Sequence, residues 1–147
     1  MKIYIACDHA AAEMKNEIAQ YLRDNGHDVT NLGIEPGEKI DYPVSAEKVA
    51  KSVVADPGSR GILICGTGIG MSIAANKVKG IRAAAVSEVY SARMTALHNN
   101  TNVLCFGARV IGIETAKMIV DAYLGAEFEG GRHASRVDMI TRLENEN

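Results

Sequence analysis

The chain has 147 residues, of which 47% are hydrophobic and 23% charged, and its formal net charge is −2. These values are typical of a soluble globular protein with one core, and they give no reason to expect nucleic acid or a membrane surface as a partner. No apolar run approaches the roughly 20 residues that cross a bilayer, and charges interrupt the start too early for a signal peptide. We therefore expect a cytoplasmic protein.

The first part of the chain is predicted to alternate strands and helices. Apolar residues recur every four positions at Met14, Ile18 and Leu22, which is typical of a helix with one buried face, and Gly26 supplies its stop. The predicted elements are, in order, a strand over 2–7, a helix over 10–25, a strand over 28–32, a Gly- and Pro-containing loop over 33–41 and a helix over 43–55.

The alternation continues to the end of the chain. A third strand stops at Cys65, and a glycine-rich turn leads from it into the next helix. Ser87 is predicted to be the N-cap of the fourth helix. The predicted elements are a strand over 61–64, a helix over 70–77, a strand over 83–86, a helix over 88–98, a strand over 102–106, a helix over 113–124 and a last amphipathic helix over 133–144, with a frayed tail at 145–147.

Five strand–helix alternations predict a three-layer α/β/α, doubly wound, Rossmann-like domain over residues 1–147. Its sheet is expected to have five mainly parallel strands, followed by a C-terminal helix. Ligands of such sheets bind beyond the carboxyl ends of the strands. The polar and glycine residues expected at that edge are Asp8, His9, Gly33, Cys65–Gly70, Ser87, Glu88 and Gly107–Arg109.

The glycine turn after the third strand suits a small anion better than a nucleotide. No lysine follows Gly70, as a P-loop requires, and Met71 stands where a dinucleotide fingerprint has its third glycine. Backbone amides at a helix start instead favour an oxyanion and a thiolate. Cys65 is therefore the candidate catalytic residue, whereas Cys7 and Cys105 are expected to be buried, inert thiols. Three widely spaced cysteines favour neither disulfides nor a zinc knot.

Eight separated motifs, in order along nearly the whole chain, resemble the B type of ribose-5-phosphate isomerase. The wider family includes isomerases of allose 6-phosphate and galactose 6-phosphate. The motifs are Cys7-Asp8-His9, Asp41-Tyr42-Pro43, Gly61–Ala75, Asn76-Lys77, Gly80–Ala83, His98-Asn99, Gly107–Arg109 and Glu129–His133. The sequence departs from the usual pattern at Ala10–Ala12 and at Asn100, where many members have aspartate.

The resemblance implies roles by position. Cys65 matches the base that takes a proton from the carbon beside the sugar carbonyl, and His98 matches the residue that opens the ring. From its position two residues after Cys65, the Thr67 hydroxyl is expected to donate to the enediolate oxygen or relay its proton. The positions that match substrate contacts are Asp8, His9, Gly66, Thr67, Gly68, Ile69, Gly70, Asn99 and the phosphate-binding Arg109, Arg132 and Arg136. The resemblance also implies no metal or organic cofactor, and a homodimer or tetramer with sites at the subunit interface.

Structural alternatives exist for several of these residues. Thr67 can make ordinary turn hydrogen bonds, Asp8 can cap the first helix, and His98 can simply complement the helix dipole. Arg132 and Arg136 are four residues apart, so they can fork onto one phosphate or remain a solvated pair.

The predicted function is interconversion of ribose 5-phosphate and ribulose 5-phosphate through an enediolate. An isomerase of a six-carbon sugar phosphate is the alternative, with allose 6-phosphate ranked above galactose 6-phosphate because the latter activity usually needs two unlike chains. A sugar-phosphate-binding module without catalysis is the alternative of another class.

Overall fold

Strands and helices alternate in the computed structural model, which describes residues 1–147. The strands are β1 (Lys2–Cys7), β2 (Asp28–Asn31), β3 (Arg60–Cys65), β4 (Ala83–Ala85) and β5 (Val103–Gly107). The helices are α1 (Ala12–Asp24), α2 (Tyr42–Ala55), α3 (Ile69–Ala75), α4 (Val89–Asn99), α5 (Ile113–Leu124) and α6 (Arg132–Glu146). No helix combines the length and the apolar character that a membrane crossing requires.

All five strands are parallel, in the order β2-β1-β3-β5-β4. The predicted doubly wound α/β/α fold is therefore confirmed. β3 lies at the centre, with Cys7 of β1 opposite Ile64 and Gly107 of β5 opposite Cys65. Because the strands are parallel, their carboxyl ends share one edge of the sheet, and each following helix returns the chain to the opposite, amino edge.

The sheet is buried on both faces, as its continuous apolar strands require. Alternate residues of β3 point to opposite sides, so that Ile62 and Ile64 join one core and Leu63 and Cys65 the other. The first core is closed by α1, α4 and α5, and the second by α2 and α3. The side chain of Cys65 thus belongs to the α2/α3 face.

Two predicted helix starts are wrong by short distances. α1 begins at Ala12 rather than residue 10, because the Asp8 carboxylate accepts a hydrogen bond from the Ala10 amide (2.9 Å) and holds a turn there. Ser87 is not the cap of α4. Glu88 is the N-cap, and both of its carboxylate oxygens accept from the Ser91 amide (3.0 and 2.9 Å), which lowers the pKa of Glu88.

Two predicted helix ends also differ from the structure. α3 stops at Ala75 instead of residue 77, and the chain continues in hydrogen-bonded turns. α6 continues to Glu146, so the frayed tail predicted for 145–147 is wrong for its first two residues. Asn147 still contacts the helix, because its side-chain amide donates to the carbonyl of Leu143 (2.9 Å).

Candidate active site

Cys65 ends the central strand, and the residue is only 5% exposed. The amide N–H of Gly68 points at its sulfur, with 3.1 Å between the nitrogen and Sγ. Such a donor stabilises a thiolate more than a thiol. Of the three free cysteines, this one stands beside a loop that can favour its anion.

The other two thiols are placed as the sequence predicts, inside the core. Burial raises the pKa of Cys7 to about 11, and it also raises the pKa of Cys105, with a smaller contribution from Cys65. Both side chains are fully buried. Neither can act as a base near neutral pH, because both remain protonated there.

The loop after Cys65 needs glycine because it presses against the end of β5. Gly68 has φ of +82°, and a β-carbon on it would lie 2.7 Å from the Cα atom of Phe106. A β-carbon on Gly107 would lie 2.5 Å from the Cα atom of Thr67. The backbone of the loop therefore lies directly against the backbone at the end of β5, with no room for a side chain at Gly68 or Gly107.

Several backbone N–H groups of this loop have no acceptor within the protein. They belong to Gly66, Thr67, Gly70 and Met71, whereas the amide of Ile69 donates to the hydroxyl oxygen of Thr67 (3.2 Å). The Thr67 side chain thus makes the ordinary turn contact, but its hydroxyl proton remains able to donate. The loop therefore presents an array of amide donors beside the sulfur, which suits an oxyanion.

Asp8 and His9 lie at the same edge, at the end of the neighbouring strand β1. The amide of Asp8 donates to the carbonyl of Ile64 (3.2 Å), which places it directly beside the end of β3. Its carboxylate is buried and uses one oxygen for the turn described above. The exposed His9 has Nδ1 3.4 Å from the carbonyl oxygen of Ile40, at the end of the 33–41 loop.

Arg109 supplies positive charge at this edge. Its amide donates to the carbonyl of Gly66 (3.1 Å), and its guanidinium covers that glycine, with Nη1 3.4 Å from where a β-carbon would stand. A cleft of about 390 Å³ opens nearby between α1 and the 33–41 loop; His9 and Glu13 line one side, and Pro36 and Gly37 the other.

His98 and Asn99 lie at the opposite edge, because α4 runs back along the sheet and they are its last two residues. The next turn contains Asn100, whose φ of +48° is a conformation that asparagine tolerates. Asn102 then accepts from the Gly61 amide (2.8 Å) at the amino end of the sheet. A rise of about 3.3 Å per residue along β5 puts roughly 13 Å of buried strand between the two edges.

Arg132 and Arg136 are exposed at the start of α6 and lie on the same side as His98. The ring of His133 stacks on that of His98, with 4.1 Å between centroids and 11° between planes. Burial, the neighbouring His98 and the charge of Arg132 lower the pKa of His133. Sequence reasoning left His133 without a role, and it missed Glu129, which contacts both imidazoles.

The predicted site residues thus form two groups within one chain. The carboxyl-edge group comprises Asp8, His9, Cys65, Gly66, Thr67, Gly68, Ile69, Gly70 and Arg109, and the amino-edge group comprises His98, Asn99, Arg132 and Arg136. The first group has a thiol and an oxyanion-binding loop, and the second has imidazoles and guanidinium groups. A phosphorylated substrate with a carbonyl needs both kinds of group.

Comparison with known proteins gives consistent matches over nearly the whole chain. The family model described as Ribose/Galactose Isomerase matches residues 3–140. The ribose-5-phosphate isomerase B of Escherichia coli is 53% identical, with 97% of this chain and 96% of that protein covered. The D-erythrulose-4-phosphate isomerase of Pectobacterium atrosepticum is 47% identical, with coverages of 99% and 97%.

A solved structure extends the likeness to three dimensions. The ribose-5-phosphate isomerase B of Mycoplasma genitalium, solved with bound ribulose-5-phosphate, has a TM-score of 0.94 and 42% sequence identity. The alignment covers 99% of this chain and 97% of that one.

Proposed function

Because the chain belongs to the Ribose/Galactose Isomerase family, we propose that it interconverts ribose 5-phosphate and ribulose 5-phosphate. The observation that carries the chemistry is the Gly68 N–H aimed at the sulfur of Cys65 (3.1 Å). Moving a proton between two adjacent sugar carbons needs a base and donors for the oxyanion that develops. The segment Cys65–Met71 supplies both within seven residues.

In this proposal, the Cys65 thiolate takes the proton from C2 of open-chain ribose 5-phosphate. The electron pair of the broken C–H bond forms the C1–C2 double bond, and O1 becomes the enediolate oxyanion. The unpaired loop amides hold that oxygen, and removal of one such donor typically costs about 3–4 kcal/mol of transition-state stabilisation. The thiol returns a proton to C1, while the Thr67 hydroxyl is placed to pass the O2 proton to O1.

The amino-edge group has the complementary tasks. Arg132 and Arg136 lie one helical turn apart and are exposed, so both can reach one phosphate dianion. His98 lies beside them, half-buried, and its imidazole has both a donor and an acceptor nitrogen, so it can move a proton between the ring oxygen and the anomeric hydroxyl during ring opening.

We further propose that each complete site is assembled from two copies of the chain. Within one chain the buried sheet separates Cys65 from the arginines, so a substrate held by Arg132 and Arg136 does not reach the sulfur of the same molecule. Apposition of the carboxyl edge of one copy and the amino edge of another brings the two groups together. The active form is then a homodimer or a tetramer, and an enzyme of phosphorylated sugars belongs in the cytoplasm.

Exchange of the C1 proton with solvent tests the chemistry directly. In D₂O the protein is expected to replace one C1 hydrogen of ribulose 5-phosphate with deuterium. The loss of that C1 proton signal is measured by ¹H NMR. Cys65→Ala is expected to reduce turnover about 10²- to 10⁴-fold, as removal of a general base does, and to retain sugar-phosphate binding in a thermal-shift titration. Cys7→Ala is the matched control, because that thiol is buried. Wild-type turnover in Cys65→Ala would refute the base, and binding without exchange in the wild type would favour a non-catalytic module.

The carbon-chain length of the preferred sugar phosphate differs among the relatives that this chain resembles. One relative is named for a five-carbon sugar phosphate and one for a four-carbon sugar phosphate, at 53% and 47% identity. We propose ribose 5-phosphate as the preferred substrate, with allose 6-phosphate as the six-carbon alternative. Comparing kcat/KM for four-, five- and six-carbon substrates on one preparation decides this, and the largest value is expected for ribose 5-phosphate.

A further inference from the structure

Glu129, His98 and His133 converge where the segment between α5 and α6 passes the end of α4. The amide of Glu129 donates to the carbonyl of Leu97 (3.0 Å), which fixes this segment to the helix. The two imidazoles stack as described above, and the carboxylate faces both. One carboxylate oxygen lies 3.8 Å from Nε2 of His98, and the other lies 3.7 Å from Nε2 of His133.

The three side chains are close to the geometry of a metal site. One ligand atom from each lies within 4.8 Å of the others. With Zn–N and Zn–O bonds of about 2.0–2.2 Å, the ligand atoms of a tetrahedral ion lie roughly 3.3–3.6 Å apart. Binding an ion therefore requires the ligand atoms to move closer together, and the stacked rings, now 11° from parallel, to tilt until both Nε2 lone pairs point at it.

The chemistry of the donors also fits. Two histidines and one glutamate form a donor set that zinc uses in proteins, with a fourth position left to water or another ligand. The His133 side chain is 9% exposed, that of His98 35% and that of Glu129 51%, so one side of the cluster is packed and the other open. Nε of Arg132 donates a long hydrogen bond to Nε2 of His133 (3.5 Å), and a metal ion at that nitrogen has to displace it.

The surrounding charge is mixed. Glu129 contributes the negative charge, whereas Arg132 and Arg136 are the nearby cations. Both arginines are exposed, so solvent and salt screen their repulsion of an ion. The expected affinity is accordingly lower than that of a closed structural zinc site, which suits reversible occupancy.

We propose that His98, Glu129 and His133 bind a divalent transition-metal ion, with Zn²⁺ as the best fit, and that the bound ion inhibits the enzyme. Coordination uses the Nε2 lone pair of His98, and that nitrogen can then no longer accept a proton during ring opening. The binding part stands on the cluster alone, and the inhibition part rests on the proposed function.

Calorimetric titration of EDTA-treated full-length protein with ZnCl₂ tests the binding. About one ion per chain is expected, and Glu129→Gln and His133→Gln are each expected to weaken binding at least tenfold, since even outer-sphere partners contribute about that much. His27→Gln is the matched control, because that histidine is outside the cluster. Co²⁺ should bind without a sulfur-to-metal charge-transfer band, and Cys65→Ser should leave the affinity unchanged.

Several results would overturn the proposal. The first is absence of Zn²⁺ binding, and the second is an unchanged Zn²⁺ affinity in both Glu129→Gln and His133→Gln. The third is a thiolate charge-transfer band in the Co²⁺ spectrum that disappears in Cys65→Ser. Zn²⁺ should also inhibit the isomerase reversibly. The Zn²⁺ concentration that halves the rate should be at least tenfold higher for Glu129→Gln than for the wild type, with each protein compared with its own rate after EDTA treatment. Binding without inhibition overturns the regulatory part. An enzyme inactive even after EDTA treatment contradicts the proposed function and leaves the calorimetric result intact.

Discussion

Two variants that damage different halves of the proposed site are expected to restore activity when they share one oligomer. Cys65→Ala removes the base at the carboxyl edge. The double variant Arg132→Ala/Arg136→Ala removes the phosphate ligands at the amino edge. In a mixed dimer, one site contains both lesions, whereas the other receives Cys65 from one chain and both arginines from its partner. That second site has the composition of the wild type.

The size of the recovery follows from hydrogen-bond energies and from symmetry. A hydrogen bond to a charged group contributes about 1.5–3 kcal/mol, so the loss of both arginines lowers kcat/KM roughly 10²- to 10⁴-fold. Loss of the base lowers it about 10²- to 10⁴-fold as well. Random exchange between equal amounts of two dimers makes about half of them mixed, and half of the sites in these are intact, so about a quarter of wild-type activity returns.

The assay follows formation of ribulose 5-phosphate at a substrate concentration well below KM, where the rate reports kcat/KM. The variants are refolded together, and capture through two different tags confirms that mixed oligomers have formed. The matched control combines Cys65→Ala with the triple variant Cys65→Ala/Arg132→Ala/Arg136→Ala, in which no site has the thiol. If the first mixture stays as inactive as its components while mixed oligomers are present, the two-copy site is refuted. Equal recovery in the control would also refute it.

Three further outcomes follow from the structure. Iodoacetamide at mildly alkaline pH is expected to modify Cys65 first, because burial raises the pKa of Cys7 to about 11 and also raises the pKa of Cys105. Equal labelling of all three cysteines in peptide mapping would contradict this. Gly68→Ala should cost roughly 2–5 kcal/mol in urea unfolding, since the residue has positive φ and no room for a β-carbon, and a cost below about 1 kcal/mol would contradict that reasoning. Tyr123→Phe should cost about 1–3 kcal/mol in the same measurement, because its hydroxyl donates to a buried main-chain carbonyl at 2.6 Å, and an unchanged stability would show the bond to be dispensable.

The fold was predictable because its signals are local. Apolar periodicity and glycine stops specify each strand and helix, and repeated strand–helix alternation leaves a parallel sheet as the solution. The boundaries were less predictable, because they depend on single hydrogen bonds. Glu88 rather than Ser87 caps α4, and the Asp8 carboxylate delays the start of α1 by two residues.

The environment of a charged side chain was beyond the reach of sequence patterns. Lys15 lies on α1 and is fully buried, with Nζ 2.7 Å from Oδ1 of Asn16 and 3.3 Å from the carbonyl oxygen of Gly33. Helical periodicity describes which residues share a face, but burial of this lysine depends on the 33–41 loop that folds over it. The meeting of Glu129 with His98 likewise joins segments that are 31 residues apart.

The topology explains why the predicted residues divide into two groups. In a doubly wound sheet, residues that follow a strand lie at the carboxyl edge, whereas residues that end the next helix lie at the amino edge. Cys65 is of the first kind and His98 is of the second, so the buried sheet lies between them within one chain. This separation supports the proposed assembly of the site from two copies of the chain. The exposed apolar side chains of α6, Ile140 (49%) and Leu143 (60%), offer surface that such assembly would bury.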